Sequence, residues 1–570
     1  MSRPTFPELV EALSRPGAAP SFPGSLECIQ THISAVFLAD DRVYKLKKPK
    51  DFGFLDFTTL EKRWHFCHEE VRLNRRLAPR VYEGVVPVVR GVDGGLRFSD
   101  VVSDDPLQPP PPEAEVVEWA VLMVRLPEER TLKALLRNGR LTSEVLEGVA
   151  ARVARFHREA ERGDEISRFG DWPTVFENDR ENFRQIEPFV GRTVSRPTFD
   201  RLEALAEEAL RSHRGLIEDR ARSGMPRDTH GDLRLEHLYL LPTPTPSPQA
   251  GEQPGGRPLS ERVGRGEEVV AIDCVEFNER FRWADPVADV AFPVMELEFE
   301  DHPHLAAVLS SRYFEISGDH QGEALLPYYT TYRDIVRGKV RSLQGADAGL
   351  GEEAREAAAR KATRHFLRAL SRLSDPGDRP LLLVVHGLPG VGKSTFARAL
   401  SASEGFEWID TDRVRKELAG RERNGAGEAF EKGIYTAEWT ERTYAECRRR
   451  AREAIFGGRR VLVEGSFGRD ASRREFAAMA SELGVPALFI HCFVSEEEAQ
   501  RRLKTRSTGP SDADWRVHRE MAARWEPASS EIEGATHRIS LEESEEVDAV
   551  DRVRGILARI GLSRKEVPEE

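Results

Sequence analysis

The run Gly387-Leu388-Pro389-Gly390-Val391-Gly392-Lys393-Ser394, continued by Thr395, has the composition of a phosphate cradle. Its glycines let backbone amides wrap phosphate oxygens. Lys393 places a positive charge at the β and γ phosphates of ATP, and the Ser394 hydroxyl is a ligand for Mg2+. Downstream, Asp412 and Arg415 lie three apart, so they share a face where a helix begins. An aspartate there can take a proton from an acceptor hydroxyl, and the arginine can hold a phosphate. Glu464 can complete the Mg2+ shell. Arg502 and Arg506, four apart, can close over a transferring phosphoryl group and neutralise its charge.

A second constellation lies in the N-terminal half. His230-Gly231-Asp232 precedes the apolar Leu238-Tyr239-Leu240-Leu241, and Asp273 follows Val269-Val270-Ala271-Ile272. Two carboxylates on neighbouring segments can divide the work, one orienting and deprotonating a hydroxyl and the other ligating Mg2+. Upstream, Arg42-Val43-Tyr44-Lys45-Leu46-Lys47-Lys48 reads as a strand bearing lysines. The helical pattern around Cys67-His68-Glu69-Glu70-Val71 offers a carboxylate to one of them.

These residues need elements to position them. Leu381-Leu382-Leu383-Val384-Val385 is a continuous apolar run of buried parallel-strand type, and Thr395–Leu400 opens a helical pattern. The glycine loop therefore sits in a strand–loop–helix, with the helix N-terminus adding its partial positive charge. Phe406–Ile409, Arg460–Val463 and Ala487–Phe493 read as further strands, whose C-terminal ends carry Asp412, Glu464 and the arginine helix. Ligands bind at that edge of an α/β sheet. A Pro-, Gly- and Ser-rich stretch, about 242–266, reads as a disordered insertion at a hairpin tip. A second break, Ser374–Pro380, sets the expected domains at 1–375 and 380–570.

With 39% hydrophobic and 32% charged residues, the chain of 570 reads as globular. No apolar run is long enough for a membrane span, and no apolar leader opens the sequence. Five scattered cysteines indicate neither a disulfide framework nor a zinc site, which suits a reducing cytoplasm. A net charge of −13 disfavours a nucleic-acid coat, although arginines cluster locally in the C-terminal third.

From Pro380 onward the chain resembles the P-loop kinases that include polynucleotide 5′-kinases, zeta toxins and gluconate-kinase-like enzymes. Asp412-x-x-Arg415 is similar to their acceptor-activating pair and Arg502/Arg506 to their lid; Glu464 stands where many relatives carry Asp. Residues 25–340 resemble the aminoglycoside-phosphotransferase branch of the protein-kinase-like fold, with Asp285-Pro286-Val287-Ala288-Asp289 supporting the match. That resemblance implies Asp232 as catalytic aspartate, Asp273 as metal ligand and Lys45 as the α/β-phosphate lysine. It implies Glu70 as the partner of Lys45, with Glu69 and Lys47 as alternatives, and Thr31–Ser34 as the phosphate-covering turn. Asp51-Phe52-Gly53 mimics the kinase metal triplet but lies too early and reads as a loop. His237 occupies the position of a second metal ligand that is usually Asn. The two-module arrangement resembles bacterial proteins described as bifunctional aminoglycoside phosphotransferase/ATP-binding proteins.

The expected architecture is α/β and α+β: a kinase-like module followed by a doubly wound parallel P-loop sheet. The expected activity is transfer of the γ-phosphoryl of ATP, with Mg2+, to a hydroxyl of a small molecule or nucleotide. Nucleic acid is a less favoured partner of the C-terminal module. Two rival readings are a ligand-sensing N-terminal pseudokinase beside an active P-loop kinase, and a non-enzymatic ATP switch.

Overall fold

The computed structural model describes residues 3–20, 22–53, 55–91, 93–103, 115–243, 266–420, 436–505, 514–542 and 546–563. Strands β1 (Glu27–Gln30), β2 (Ser34–Leu38), β3 (Arg42–Lys47), β4 (Tyr82–Arg90), β5 (Leu96–Phe98) and β6 (Glu115–Val124) form an antiparallel sheet in the order β1-β2-β3-β6-β4-β5. The two-residue period of β3 sorts its side chains. Tyr44 and Leu46 enter an apolar cluster with Phe37 and Phe98. Val43 packs on the other face with Cys67, Val71 and Trp119, and Lys45 and Lys47 follow it there. Helix Leu60–Asn74 covers that face, started by Thr59, whose hydroxyl accepts from Lys62 N at 3.2 Å.

Strand β7 (Arg227–Asp228) comes next, then β8 (Leu238–Pro242), β9 (Glu267–Ala271) and β10 (Trp283–Ala284). Leu238 lies opposite Ala271 in the antiparallel β8–β9 pair, and β7 pairs with β10. The pairing brings the His-Gly-Asp segment before β8 beside Asp273 after β9. Most of the insertion expected at about 242–266 lies outside the described residues. Helices Ser143–Glu159, Pro286–Phe299 and Pro303–Ser317 complete this half. A sheet lobe with a lysine strand under a helix, then a helical lobe with this hairpin, is the protein-kinase-like fold expected from the sequence.

Strands β11 (Leu381–His386), β12 (Glu407–Asp410), β13 (Arg460–Gly465), β14 (Ala487–Phe493) and β15 (Thr536–Ser540) form an all-parallel sheet in the order β12-β13-β11-β14-β15. Every residue of β11 is buried. Leu381, Leu383 and Val385 face one core, with Phe396 and Leu400 of helix Lys393–Glu404. Leu382 and Val384 face another, with Cys447, Ala451 and Phe476. Cover on both faces explains why β11 reads as an unbroken apolar run. This is the expected doubly wound P-loop sheet.

The chain divides into two units, Met1–Val175 with His213–Thr330, and Phe176–Ser212 with Thr331–Glu570. Helices Arg196–Ser212 and Glu352–Leu373 thus pack with the parallel sheet, whereas the sequence reading grouped them with the first module. Phe199 and Leu202 bury against Phe366 and Leu370, and Leu367 joins the core beneath β11 and β13. The Ser195 and Thr198 hydroxyls donate to the Phe456 carbonyl at 2.8 and 2.6 Å.

Candidate active sites

At the carboxyl edge of the parallel sheet, register places His386 beside Gly465 and His491, and Asp410 beside Glu464. The chain then turns through the glycine loop. Gly387 has φ +150°, and a Cβ there would stand 2.2 Å from the Cys492 carbonyl oxygen. At Gly390, φ +86°, a Cβ would meet Leu503 at 2.6 Å. Neither position admits a side chain without displacing a neighbour. The Lys393 ammonium folds back and donates to the Leu388 carbonyl at 2.9 Å, over the hollow of the loop.

The Ser394 hydroxyl donates to Glu464 Oε1 at 3.1 Å, joining two expected metal ligands. Glu464 Oε2 is buried and has no hydrogen-bond partner among the described residues. Burial, then the Asp410 and Asp412 carboxylates, raise the Glu464 carboxyl despite the nearby Lys393. An orphaned carboxylate oxygen beside a hydroxyl is an oxygen donor set that suits Mg2+. Asp410 caps helix Thr411–Leu418, accepting from Asp412 N at 2.9 Å and Arg413 N at 3.3 Å. The helix therefore starts where expected, with Asp412 in its first turn and Arg415 buried one turn on.

Arg502 is held by three partners. Its guanidinium donates to Glu498 at 2.5 Å, to the Val391 carbonyl at 3.1 Å and to the Leu541 carbonyl at 2.7 Å. In this state it braces the outside of the P-loop. His518 does the same, its Nδ1 donating to the Pro389 carbonyl at 2.7 Å. Arg506 lies outside the described residues.

The sequence reading missed an aromatic wall at this edge. His386 and His491 stack with centroids 5.0 Å apart and planes 7° apart, and Trp525 lies parallel to both. Neither ring nitrogen of His386 has a partner among the described residues. Burial drives this imidazole well below its ordinary pKa, with His491, Arg473 and Lys393 adding to the effect, so it is neutral. Nearby, the Tyr444 hydroxyl accepts from Phe467 N at 3.0 Å and lies 3.2 Å from the Ser466 hydroxyl. The only sequence signal was a polar His ending an otherwise apolar strand.

In the first unit, Lys45 Nζ donates to Glu70 at 2.8 Å and to Asp273 Oδ1 at 2.7 Å. Lys47 also binds Glu70, at 2.7 Å, and it pairs with Glu276, a residue not singled out from the sequence. Glu69 instead pairs with Arg72. Two lysines two apart on one strand face thus share one helix carboxylate. Burial alone would raise the Asp273 carboxyl, but Lys45 and then His237 hold it well below the usual range. Asp273 has φ +62°, and its amide donates to the Tyr82 hydroxyl at 3.1 Å. A non-glycine residue held in that region is a strained position of the kind found at functional sites.

Asp232 and Asp273 flank His237. The His237 Nδ1 lies 2.9 Å from the Asp232 carbonyl oxygen, and Nε2 lies 3.6 Å from Asp273 Oδ2. Asp289 fixes the His-Gly-Asp segment from below. It accepts from His230 N at 3.0 Å and Gly231 N at 2.9 Å, and it meets His157 Nε2 at 3.1 Å. Thr31–Ser34 forms a tight turn closed by Thr31 N to the Ser34 carbonyl at 2.9 Å. Asp51-Phe52-Gly53 is a loop in which Asp51 accepts from Gly53 N at 2.7 Å.

The segment 382–528 matches the AAA domain family. An uncharacterised protein of Mycobacterium tuberculosis strain H37Rv, Rv2004c, is 28% identical over 496 residues, covering 87% of this chain and 89% of that one. A Mycobacterium bovis protein, Mb2027c, matches to the same extent. Among solved structures, a gluconokinase from Sinorhizobium meliloti 1021 is 19% identical, covers 32% of this chain and 94% of its own, and has a TM-score of 0.24. Aminoglycoside 2′-phosphotransferase-IIIa in its GDP complex is 13% identical, covers 60% of this chain and 93% of its own, and scores 0.34. A choline/ethanolamine kinase family protein from Mesorhizobium loti is 12% identical, with coverages of 64% and 98% and a score of 0.34. No helix among the described residues is long and apolar enough to cross a membrane.

Proposed function

We propose that this protein is an ATP-dependent phosphotransferase whose two units each move a γ-phosphoryl group to a hydroxyl. The observation that carries the reading is the P-loop centre, where Ser394 meets Glu464 and leaves one buried carboxylate oxygen open. In this reading the loop amides and Lys393 hold the β and γ phosphates, and Ser394 with Glu464 would hold Mg2+. The bound ion supplies charge neutralisation at those phosphates. Asp412 accepts the acceptor proton and Arg415 holds an acidic group of the acceptor. In the first unit Lys45, fixed by Glu70, meets the α and β phosphates. Asp232 orients the second acceptor and Asp273 serves as metal ligand. The neutral wall of His386, His491 and Trp525 supports an acceptor carrying hydroxyls and a flat face, such as a small sugar-like or nucleoside molecule.

The test is transfer from radiolabelled ATP to pooled hydroxyl metabolites and 5′-hydroxyl oligonucleotides by the full-length protein. Label should pass to an acceptor, and Asp412→Asn should lower one transfer by roughly two to four powers of ten while ATP binding stays near normal. Asp232→Ala should remove the other. Nucleotide binding without transfer to any pool would instead establish a switch.

A further inference from the structure

Lys47 stands on the strand face of Lys45 but is placed for different work. Its side chain is 1% exposed, against 15% for Lys45 and 46% for Asp273, so its ammonium lies out of reach of a phosphate. It sits 5.0 Å from the centre of the Phe57 ring and is taken up by two buried carboxylates, Glu70 and Glu276. Glu70 divides its oxygens between the lysines, Oε1 accepting from Lys45 and Oε2 from Lys47. Glu276 lies three residues beyond Asp273, on the segment that leaves β9. Through one ammonium, Lys47 thus ties helix Leu60–Asn74 to the segment that carries Asp273.

Further bonds make the same connection. Cys274 N donates to Asn74 Oδ1 at 2.9 Å, and Asn74 Nδ2 donates to the Glu70 carbonyl at 2.8 Å. Asp273 N donates to the Tyr82 hydroxyl of β4. None of these bonds uses Lys45. In the empty site Lys45 joins Glu70 to Asp273, and phosphates arriving there compete for the same ammonium. A buried carboxylate stripped of its only partner is strongly destabilising. With Lys45 as its only cation, Glu70 would oppose that move or swing away with its helix. Lys47 keeps Glu70 paired in either state.

We propose that Lys47 and Glu276 are positioning residues of the first unit: they hold helix Leu60–Asn74 to segment 273–276 in the empty protein, so that Lys45 can turn to a nucleotide without releasing either. The site is then preassembled, and binding needs no movement of the helix. The inference rests on the reading of this unit as a nucleotide site. The experiment uses the full-length Lys393→Ala protein, in which the P-loop site is disabled, with Mg2+ and a non-hydrolysable ATP analogue. Hydrogen–deuterium exchange reads helix Leu60–Asn74 with and without the analogue. Its amides should be equally protected in both. Protection that rises on loading would overturn the inference, because the nucleotide would then be what sets the helix. Adding Lys47→Met and Glu276→Gln together removes the tie without leaving either group charged and unpaired. The helix should then exchange about 10-fold faster in the empty protein, and analogue affinity should fall by a similar factor, while the unfolding midpoint stays near that of the parent. Unchanged affinity in this folded variant would reduce Lys47 to a structural residue and end the proposal. Should the variant unfold, the exchange comparison on the parent decides alone. No analogue binding by the Lys393→Ala parent would refute the nucleotide reading itself, and the inference with it.

Discussion

Lys47 is almost fully buried, as are its partners Glu70 and Glu276. With Lys45 and Asp273 they form a chain of five charges running through the kinase-like unit. A buried ion whose partner is removed costs far more than the pair contributes. Lys47→Met should therefore destabilise the protein by about 3–5 kcal/mol, read from the denaturant midpoint. Adding Glu276→Gln should recover most of that loss, because burial already raises the Glu276 carboxyl and favours its neutral form. A loss below about 1 kcal/mol in the single variant would show that the buried charges do not depend on Lys47. At the P-loop the expected change is in binding. Lys393 lies over the loop with its ammonium on a carbonyl that phosphates would displace. Lys393→Ala should weaken one of the two proposed ATP sites by at least about 100-fold, close to 2.7 kcal/mol. Calorimetry on the full chain would then register one tight site fewer.

At the level of elements, the strand–loop–helix around Lys393 was legible because each part carries its own local signal. An apolar run marks β11, glycines mark the loop, and a helical pattern follows. The close approach of Gly387 to β14 was not legible, since Cys492 lies about a hundred residues away in the chain. Gly387→Ala should lower stability by more than about 1 kcal/mol and remove nucleotide binding at this site, because the carbonyl it meets is backbone and cannot swing aside. A folded variant with unchanged stability and ATP affinity would refute that packing. The kinase-like hairpin was legible from Asp232 and Asp273 flanking two short apolar runs. The choice between Lys45 and Lys47 was not, because strand periodicity puts both on one face, and in the structure Glu70 binds both. The wall of His386, His491 and Trp525 also escaped notice, since its rings come from three separate segments, two on neighbouring strands and Trp525 on the stretch after helix Trp515–Ala523. Arg502 shows the same limit: its i, i+4 spacing from Arg506 was visible, but its backbone partners Val391 and Leu541 were not.

Across the whole molecule, each unit buries a neutral histidine. His230 and His365 are both pushed down to about 4, chiefly by burial. In the unfolded chain they titrate near 6.5. Between those values the unfolded state binds more protons, so stability falls as pH falls from about 6.5 toward 4 and is level above about 7. Asp334, which meets His365 Nδ1 at 2.8 Å, has its carboxyl held low by that bond and by Arg372 against the effect of burial. Its own contribution is lost only at more acid pH, outside this window. The thermal midpoint should therefore drop steadily below pH 6.5, and His365→Gln should flatten part of that slope. A midpoint unchanged between pH 7 and 5 would contradict the buried neutral histidines. The helices Arg196–Ser212 and Glu352–Leu373, which close over the parallel sheet, carry a different consequence, one of timing. During synthesis the first of them leaves the ribosome about 140 residues before the second begins. At cellular elongation rates that wait is on the order of ten seconds. Throughout it, Phe199 and Leu202 lack Phe366 and Leu370, the helix residues that bury them. The nascent chain must therefore carry an exposed apolar helix past the completion of its kinase-like unit, which makes this stretch the natural target for a holding chaperone and the place where an interrupted translation product would aggregate.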